Sequence, residues 1–187
     1  MSNHSRAPDR EARFTALYEA AYADLIRFAR RRADRSRAED IVAEAFLVAW
    51  RRLDDVPRHP ADARAWLFGI TRHTLLNARR GADRQQAVAV RLAEAAPTPQ
   101  HDGDAELVAS QVDLAAAWNR LSAIHQEALA LAVLEGLAAP QAAVVLGISP
   151  VAFRLRLSRA RRALRFHLDH FPRTAPAEAG IGERNGS

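Results

Sequence analysis

The sequence predicts an all-α protein of two helical domains joined by a flexible linker, and three observations support that fold class. Alanine is abundant, whereas glycine and β-branched residues are sparse over long runs, and this composition favours helices. Apolar residues recur at helical spacing in both halves of the chain. Between the halves, residues 97–104 combine proline, glycine and acidic side chains, a composition typical of a linker.

Five segments follow from these patterns along the 187 residues. We predict a disordered lead over residues 1–10, a first domain over 11–82, a linker over 83–111, a second domain over 112–170 and a disordered tail over 171–187. A linker of about 30 residues has a coil span of roughly 30 Å and a stretched reach of about 100 Å. It can therefore hold the two domains far apart.

The first two helices are the best marked elements of the first domain. Apolar residues follow a helical pattern over residues 14–31, which ends in the basic cluster 30–32. The next helix is predicted to begin at a capping box formed by Ser36 and Glu39. A continuous apolar stripe then extends as far as Leu53, so one face of this helix belongs to the core.

Further helices are predicted after a proline-containing loop over residues 54–62. Asp62 is the predicted cap of a helix over residues 63–80. In the second domain, residues 112–134 show helical patterning in two pieces, with a break near 121–122. These elements complete two small helical bundles.

A helix-turn-helix is predicted at the end of the second domain. Pro140 suits the first turn of its first helix, and Gly147 suits the left-handed residue that ends that helix. Ser149 is a good N-cap for the second helix and is followed by Pro150. Phe153 is placed to fill the space between the two helices, which predicts a module that binds duplex DNA.

Composition restricts the classes of partner. The net charge is +5 and the 27 basic residues other than histidine are all arginine, which suits a polyanion, although a preference for arginine over lysine in a GC-rich genome is the alternative explanation. The absence of cysteine excludes disulfides and thiolate metal sites. No apolar run reaches the ~18 residues of a membrane span, and no signal-peptide core is present. We expect a cytoplasmic protein without membrane insertion.

Enzymatic function is not indicated by any motif. His167 and His170 are separated by one turn at a helix end, which makes a poor metal site. The sequence shows no nucleophile–base pattern and no glycine-rich phosphate loop. We therefore predict no catalytic residues, no metal and no cofactor.

The order of motifs along residues 11–168 resembles a known family. The motifs are residues 17–22, 38–46 with Trp50, 65–72 followed by Arg79 and Arg80, then 121–127, 135–137, 146–148 and 154–161. In order and spacing they resemble regions 2 and 4 of the extracytoplasmic-function (ECF) sigma factors, promoter-recognition subunits of bacterial RNA polymerase. The family usually has different residues where this chain has Ala43, His73, Asn77, Gln141 and Ala152.

The resemblance implies a DNA-binding role for the helix that begins at Pro150. Its residues expected at the upstream (−35) promoter element are Ser149, Val151, Ala152, Arg154, Leu155, Arg156, Ser158, Arg159, Arg161 and Arg162. Among them, Arg154 and Arg159 are expected at base edges, whereas Arg156, Arg161 and Arg162 are expected at phosphates. A solvated helix face is the alternative interpretation of this arginine cluster.

The resemblance also implies strand opening by the first domain. Residues expected at the downstream (−10) element are His59, Arg64, Trp66, Arg72, His73, Asn77, Arg79 and Arg80. Arginines would line the path of the strand, and Trp66 either stacks on a base or belongs to the core.

The partners implied are promoter DNA, the clamp helices and flap of core RNA polymerase, and an anti-sigma factor. Residues expected to contact the polymerase are Glu39, Asp40, Glu44 and Trp50. Acidic side chains at the start of a helix also suit its dipole, which is a purely structural interpretation. A stand-alone helix-turn-helix regulator, usually dimeric, is the alternative function. It explains the second domain but not the acidic helix or the Trp66 helix of the first.

Overall fold

The computed structural model describes residues 6–79 and 105–170. The predicted contact of Arg80, the disordered tail 171–187 and the central part of the linker lie outside the described residues, and so does the side chain of Arg79. All regular elements in the described ranges are helical, which confirms the predicted fold class.

The first half contains α1 (Arg6–Arg30), α2 (Arg35–Arg51), a 3₁₀ turn (Leu53–Asp55) and α3 (Pro60–Arg79). Helix α1 begins at Arg6, so the last part of the segment predicted to be a disordered lead is helical. The three helices pack around fully buried Phe28, Val42 and Phe68. The apolar stripes predicted for these helices therefore form one core.

Two predicted helix starts in this half are wrong by a few residues. Asp34, not Ser36, caps α2, because its carboxylate accepts a hydrogen bond from the Arg37 backbone N–H at 2.9 Å. Asp34 has the extended backbone that a cap requires, with a φ of −68° and a ψ of 166°. Helix α3 begins at Pro60, because proline suits a first helical turn, and Asp62 lies inside that turn.

The second half contains α4 (Ala105–Asn119), α5 (Ala123–Leu129), a π-helical turn (Ala130–Leu134), α6 (Ala139–Leu146) and α7 (Pro150–Asp169). The predicted break near residues 121–122 is confirmed, since the Ser122 side chain caps α5. Helix α4 begins inside the segment that was predicted as linker. A small core of its own lies between α4, α5 and α7.

Helices α6 and α7 form the predicted helix-turn-helix. Gly147 ends α6 with a φ of 65°, a left-handed conformation that glycine adopts without a steric penalty. The Ser149 hydroxyl accepts a hydrogen bond from the Ala152 backbone N–H at 3.1 Å and so caps α7. Phe153 is fully buried, as the sequence predicted.

The two halves pack against each other through α3 and α6. Leu131, Ala142 and Val145 of the second half join Phe28 and Phe68 of the first in one apolar cluster. The linker is long enough for a wider separation, but each half has an apolar face, and burying both removes that area from water. No helix within the described residues is long and apolar enough to cross a membrane.

Candidate nucleic-acid and polymerase interfaces

The start of α7 presents an exposed surface, which we call the reading face (Val151, Arg154, Leu155, Ser158 and Arg159). Val151 and Leu155 lie one turn apart and are 57% and 55% exposed. Exposed aliphatic side chains beside arginines suit the major groove of a duplex, which presents thymine methyls and the acceptor edges of guanine.

Other predicted contacts on α7 are distributed around the reading face. Ser149 and Ala152 are joined by the hydrogen bond that caps α7. The reading face therefore begins in the first turn of this helix. Arg156 is half-buried, whereas Arg161 and Arg162 are exposed. The six arginines of α7 are accompanied by one acidic residue, Asp169, at its last position, so this helix is strongly cationic.

The predicted strand-opening residues of α3 define a second surface, the strand face (Arg64, Trp66, Arg72, His73 and Asn77). His73 and Asn77 are exposed and hydrogen-bonded to each other at 3.1 Å between Nδ1 and Nδ2. His59 is exposed in the turn before α3. Trp66 is half-buried against the cluster of Leu53, Val56 and Ala63, which is a core position for most of its ring.

Arg64 and Arg72, the two strand-face arginines, are engaged by other groups. Arg64 Nε donates to Asp24 Oδ2 at 2.7 Å, and its Nη1 donates to the Glu135 carbonyl at 2.8 Å. Arg72 donates through Nε to Glu127 Oε1 at 2.7 Å and through Nη2 to Oε2 at 3.2 Å. Glu127 and Glu135 belong to the second half, so that half covers both cations.

A groove of about 680 Å³ remains open beside these contacts. One wall contains Trp66, Arg72 and His73 of the strand face, and the other contains residues 144–147 of α6. The strand face is therefore partly accessible, although Arg64 and Arg72 are bonded to groups of the second half.

The first two helices form another groove of about 610 Å³, the aromatic groove (Phe14, Tyr18, Tyr22, Phe46 and Trp50). Its rings are packed edge to face, tilted or stacked, with centroids 4.7–6.4 Å apart. Tyr18 and Tyr22 are each 39% exposed, and Trp50 is 37% exposed. Such an apolar concavity on the surface is typical of a protein-binding site.

Acidic side chains lie along one rim of the aromatic groove. Glu39 and Asp40 line it, whereas Glu44 lines the groove beside the strand face. Glu39 is paired with Arg30 at 3.1 Å and with Arg35 at 3.5 Å. Asp40 and Glu44 are exposed and form no ion pair within residues 6–79 and 105–170. They are the acidic groups that a basic partner would meet first.

Sequence reasoning missed a buried ion cluster (Arg31, Arg32 and Glu135). Arg31 Nη1 donates to Glu135 Oε1 at 2.8 Å, and Arg32 Nη1 lies 3.7 Å from the same oxygen. Burial raises the pKa of Glu135 above its ordinary value, although both arginines oppose that shift. Burial likewise lowers the pKa of Arg32 to about 10, so it remains charged at neutral pH. The basic run 30–32 was the available signal, but its partner is distant in sequence.

The histidines at the end of α7 contact Phe166 in the last turn of the helix. The Phe166 and His170 rings are stacked with centroids 4.2 Å apart, and His170 Nδ1 lies 2.9 Å from the Phe166 carbonyl oxygen. Within the described ranges, no three potential metal ligands come together.

Comparison with known proteins identifies both halves. Residues 17–85 match the family model of sigma-70 region 2, and residues 111–164 match the model of sigma-70 region 4. The chain is 32% identical over 154 residues to the ECF RNA polymerase sigma factor SigL of Mycobacterium tuberculosis, which covers 82% of this chain and 87% of SigL.

A further relative and a solved structure are also similar to this chain. The RNA polymerase sigma factor CnrH of Cupriavidus metallidurans is 33% identical over 145 residues, 70% of this chain and 73% of CnrH. The solved structure of the sigma factor RpoE from Bartonella quintana, in complex with the anti-sigma factor NepR, is similar in fold with a TM-score of 0.50. That likeness covers 90% of this chain and 99% of RpoE at 22% identity.

Proposed function

The chain belongs to the ECF RNA polymerase sigma factors, and from that premise we propose how its surfaces divide the recognition of a promoter. As a sigma factor it binds core RNA polymerase and directs promoter-specific initiation of transcription. The observation that carries the division of roles is the exposed, cationic reading face on a well-capped α7. A stand-alone regulator would account for the second half only, whereas the family models match both halves.

The reading face is proposed to enter the major groove of the upstream promoter element. Arg154 and Arg159 contact base edges there, and a forked arginine–guanine contact contributes about 1–3 kcal/mol of discrimination. Arg161, Arg162 and the half-buried Arg156 contact phosphates and hold the helix in register. Val151 and Leu155 add apolar contacts with thymine methyls.

The strand face, with His59, Arg79 and Arg80, is proposed to hold the unpaired strand of the downstream element. Extruding a base costs a few kcal/mol, so cations and flat side chains must compensate for the lost stacking. Arg64 and Arg72 supply charge to the phosphates, and the exposed edge of Trp66 and the rings of His59 and His73 lie along the path.

The aromatic groove and its acidic rim are proposed to receive the clamp helices of core polymerase. Trp50 and the neighbouring rings supply the apolar contact area. Asp40 and Glu39 at the rim, with Glu44 one turn further along α2, attract a basic partner. The second half is proposed to contact the flap. An anti-sigma factor is a further proposed partner, in line with the RpoE complex from Bartonella quintana.

The protein is further proposed to act in the cytoplasm without cofactor, metal or catalytic activity of its own. Its role is to position promoter DNA on the polymerase, because the site that forms the new bonds belongs to the polymerase. The surfaces above account for the family role through contacts with protein and DNA alone.

The test is in vitro transcription by core polymerase with the full chain and a genomic promoter library. Replacing both Arg154→Ala and Arg159→Ala is expected to abolish promoter-specific transcripts, because two base contacts worth about 1–3 kcal/mol each are lost. Binding to core polymerase, measured by pull-down, stays unchanged. Equal loss of core binding would show that these arginines support the fold rather than recognition.

A matched pair of variants tests the polymerase interface. Asp40→Lys reverses a charge at the rim of the aromatic groove and is expected to weaken core binding, because opposite charges steer the docking. Glu19→Lys makes the same change of charge on an exposed part of α1 outside that groove and leaves core binding unchanged. If the Asp40→Lys variant bound core polymerase with the affinity of the wild type, this would show that Asp40 and its part of α2 do not contact the polymerase.

A further inference from the structure

We propose that Arg10 and Arg13 of α1, here called the brace, are positioning residues for strand recognition, because they hold the turn between α2 and α3 from outside. This α2–α3 turn (residues 52–59) leads into α3 and has exposed His59 at its end. The inference rests on the proposed role of His59 and the strand face in holding the unpaired promoter strand. It adds a part of α1 that precedes the match to region 2, which begins at residue 17.

The α2–α3 turn has little internal hydrogen bonding to fix its path. Two backbone bonds close its first part, from the Asp55 N–H to the Arg52 carbonyl at 2.9 Å and from the Val56 N–H to the Leu53 carbonyl at 3.3 Å. Pro57 follows, and a proline has no N–H to donate and keeps the residue before it extended. Val56 accordingly has a φ of −62° and a ψ of 123°. Its carbonyl is therefore left for a partner from another element.

One face of α1 meets the turn through apolar contacts. Phe14 and Leu17 pack against the buried side chains of Leu53 and Val56. The two arginines of the brace lie four residues before Phe14 and Leu17, respectively, and so belong to the same face of the helix. The apolar pairs therefore bring α1 to the turn, and the arginines reach the polar groups beside them.

Arg10 joins the turn to the end of α2. Its Nη1 lies 3.2 Å from Asp54 Oδ2, and its Nη2 donates to the Trp50 carbonyl at 2.9 Å. The guanidinium also lies over the Trp50 ring, 5.3 Å from the ring centroid. Because a guanidinium holds its donors in a rigid planar fork, the contacts with Trp50 fix the direction of the donor that meets Asp54. Arg10 therefore sets the position of Asp54 relative to α2.

Arg13 holds the later part of the turn. Its Nη2 donates to the Val56 carbonyl at 3.2 Å. The acceptor belongs to the backbone, so the bond constrains the path of the chain itself. Val56 is three residues before His59, and the bond therefore fixes the point from which the exposed end of the turn departs.

A third arginine connects the turn with the strand face. Arg52 Nε donates to Asp55 Oδ2 at 2.9 Å, and its guanidinium lies 5.7 Å from the centroid of the Trp66 ring. Displacement of the turn would therefore also change the surroundings of Trp66. The brace thus acts on two residues of the proposed strand path, His59 and Trp66.

The brace can be removed without removing the support of the fold. The side chains of Arg10 and Asp54 are 33% and 78% exposed, and an exposed ion pair contributes little to stability. The buried anchors Leu53 and Val56 remain in place when the arginines are absent. Loss of the brace should therefore loosen the position of the turn while the helices stay folded.

The experiment is in vitro transcription by core polymerase with the full chain, from a promoter library randomised in the downstream element. It measures the ratio of transcripts from the preferred element to those from its single-base variants. Arg10→Ala with Arg13→Ala should lower this ratio about fivefold, and Arg13→Ala alone about twofold, since each exposed contact changes an equilibrium by a small factor. A site discriminates well only where its groups are held in place. Because the ratio compares promoters within one holoenzyme, a change in affinity for core polymerase cancels.

Three variants serve as controls. Arg51→Ala removes an exposed arginine next to the turn that forms no hydrogen bond or ion pair within the described residues, and it should leave the ratio unchanged. Arg13→Lys retains a donor for the Val56 carbonyl and should restore most of the ratio. Asp54→Ala added to Arg10→Ala should cause no further fall, because the two changes remove one shared contact.

A merely structural role of the brace would give a different result. The ratio for single-base variants of the upstream element and the midpoint of urea denaturation should both stay as in the wild type. An unchanged downstream ratio in the double-arginine variant would overturn the brace. So would an equal fall of the upstream and downstream ratios, or an equal loss of transcripts from every promoter with a lowered urea midpoint.

The wild type separates failure of the brace from failure of the proposed function. If the wild type distinguishes bases of the downstream element and the arginine variants do so equally well, only the brace is wrong. If the wild type directs transcription without distinguishing those bases, the proposed strand face is wrong and the brace fails with it. If the wild type directs no transcription, the proposed division of surfaces itself is wrong.

Discussion

The reading face and the strand face are both rich in arginine, yet their situations in the folded protein are opposite. Arg154 and Arg159 are exposed on α7, whose buried side is anchored by Phe153. Arg64 and Arg72 are 29% and 23% exposed at the side chain and are bonded to oxygen atoms of the second half. Arginine content therefore indicates the chemistry of a partner, whereas availability depends on which element packs over the side chain.

The largest expected effect comes from removing the support that both faces share. Phe153 is fully buried beneath the reading face and belongs to the core that also holds α3. Phe153→Ala should lower the free energy of unfolding by about 3–5 kcal/mol, because it removes a buried ring and leaves a cavity. Urea denaturation followed by circular dichroism measures this change.

Val151→Ala is the matched control on the same helix. Its side chain is 57% exposed, and its loss should change stability by less than about 0.5 kcal/mol. A similar small loss for Phe153→Ala would mean that α7 does not depend on the shared core, and the two faces would then be structurally independent.

A smaller effect distinguishes the two faces by their response to salt. Arg162 is exposed and assigned to a phosphate. Arg162→Ala should therefore reduce, by about one, the slope of the logarithm of the duplex-binding constant against the logarithm of the salt concentration. Arg72→Ala should leave that slope unchanged in the free protein, because Glu127 already occupies the arginine. Duplex affinities measured over a series of salt concentrations test both, and an equal change in slope would contradict the distinction.

The smallest expected effect is a pH dependence of the contact between the halves. Burial raises the pKa of Glu135 in the folded state, so its protonated form is favoured by folding. Stability from this group is present below its unfolded pKa and is lost as the pH rises through its folded pKa. Wild type should therefore lose stability relative to Glu135→Gln as the pH rises.

Parallel urea denaturation of the two proteins between about pH 4 and pH 8 measures this difference. Glu39→Gln serves as the exposed control, since Glu39 forms surface pairs only and its difference from wild type should vary less. A wild type that gains stability relative to Glu135→Gln with rising pH would show that the arginines, not desolvation, control this carboxyl.

Local signals in the sequence were sufficient where a structure depends on neighbouring residues. Gly147 and Ser149 ended and started helices as predicted, and Ser122 marked the break before α5. The start of α2 was misplaced because Asp34 and Ser36 are both competent caps. In the folded chain it is Asp34 that accepts from the Arg37 backbone N–H.

The candidate sites were predictable to a similar extent. The residues of the reading face were expected at DNA through the family resemblance, and their exposure follows helical periodicity, because Phe153 and Ala160 turn the other side of α7 inward. The aromatic groove was predicted only through Trp50 and its acidic neighbours. Phe14, Tyr18 and Tyr22 belong to a different helix, and their approach to Phe46 depends on how α1 packs on α2.

By itself, the sequence determined the helical class, the helix-turn-helix and the family, because caps, periodicity and motif order are properties of short segments. Only the tertiary structure decided that Arg64 and Arg72 are covered and that Arg31 meets Glu135 across 104 positions of sequence. Such contacts depend on the relative placement of two helical units, and no local pattern encodes that placement. The physical reason is that burial of apolar faces is non-directional and does not specify one arrangement of the two halves. The ion pairs, by contrast, form only in an arrangement that brings donor and acceptor atoms within bonding distance.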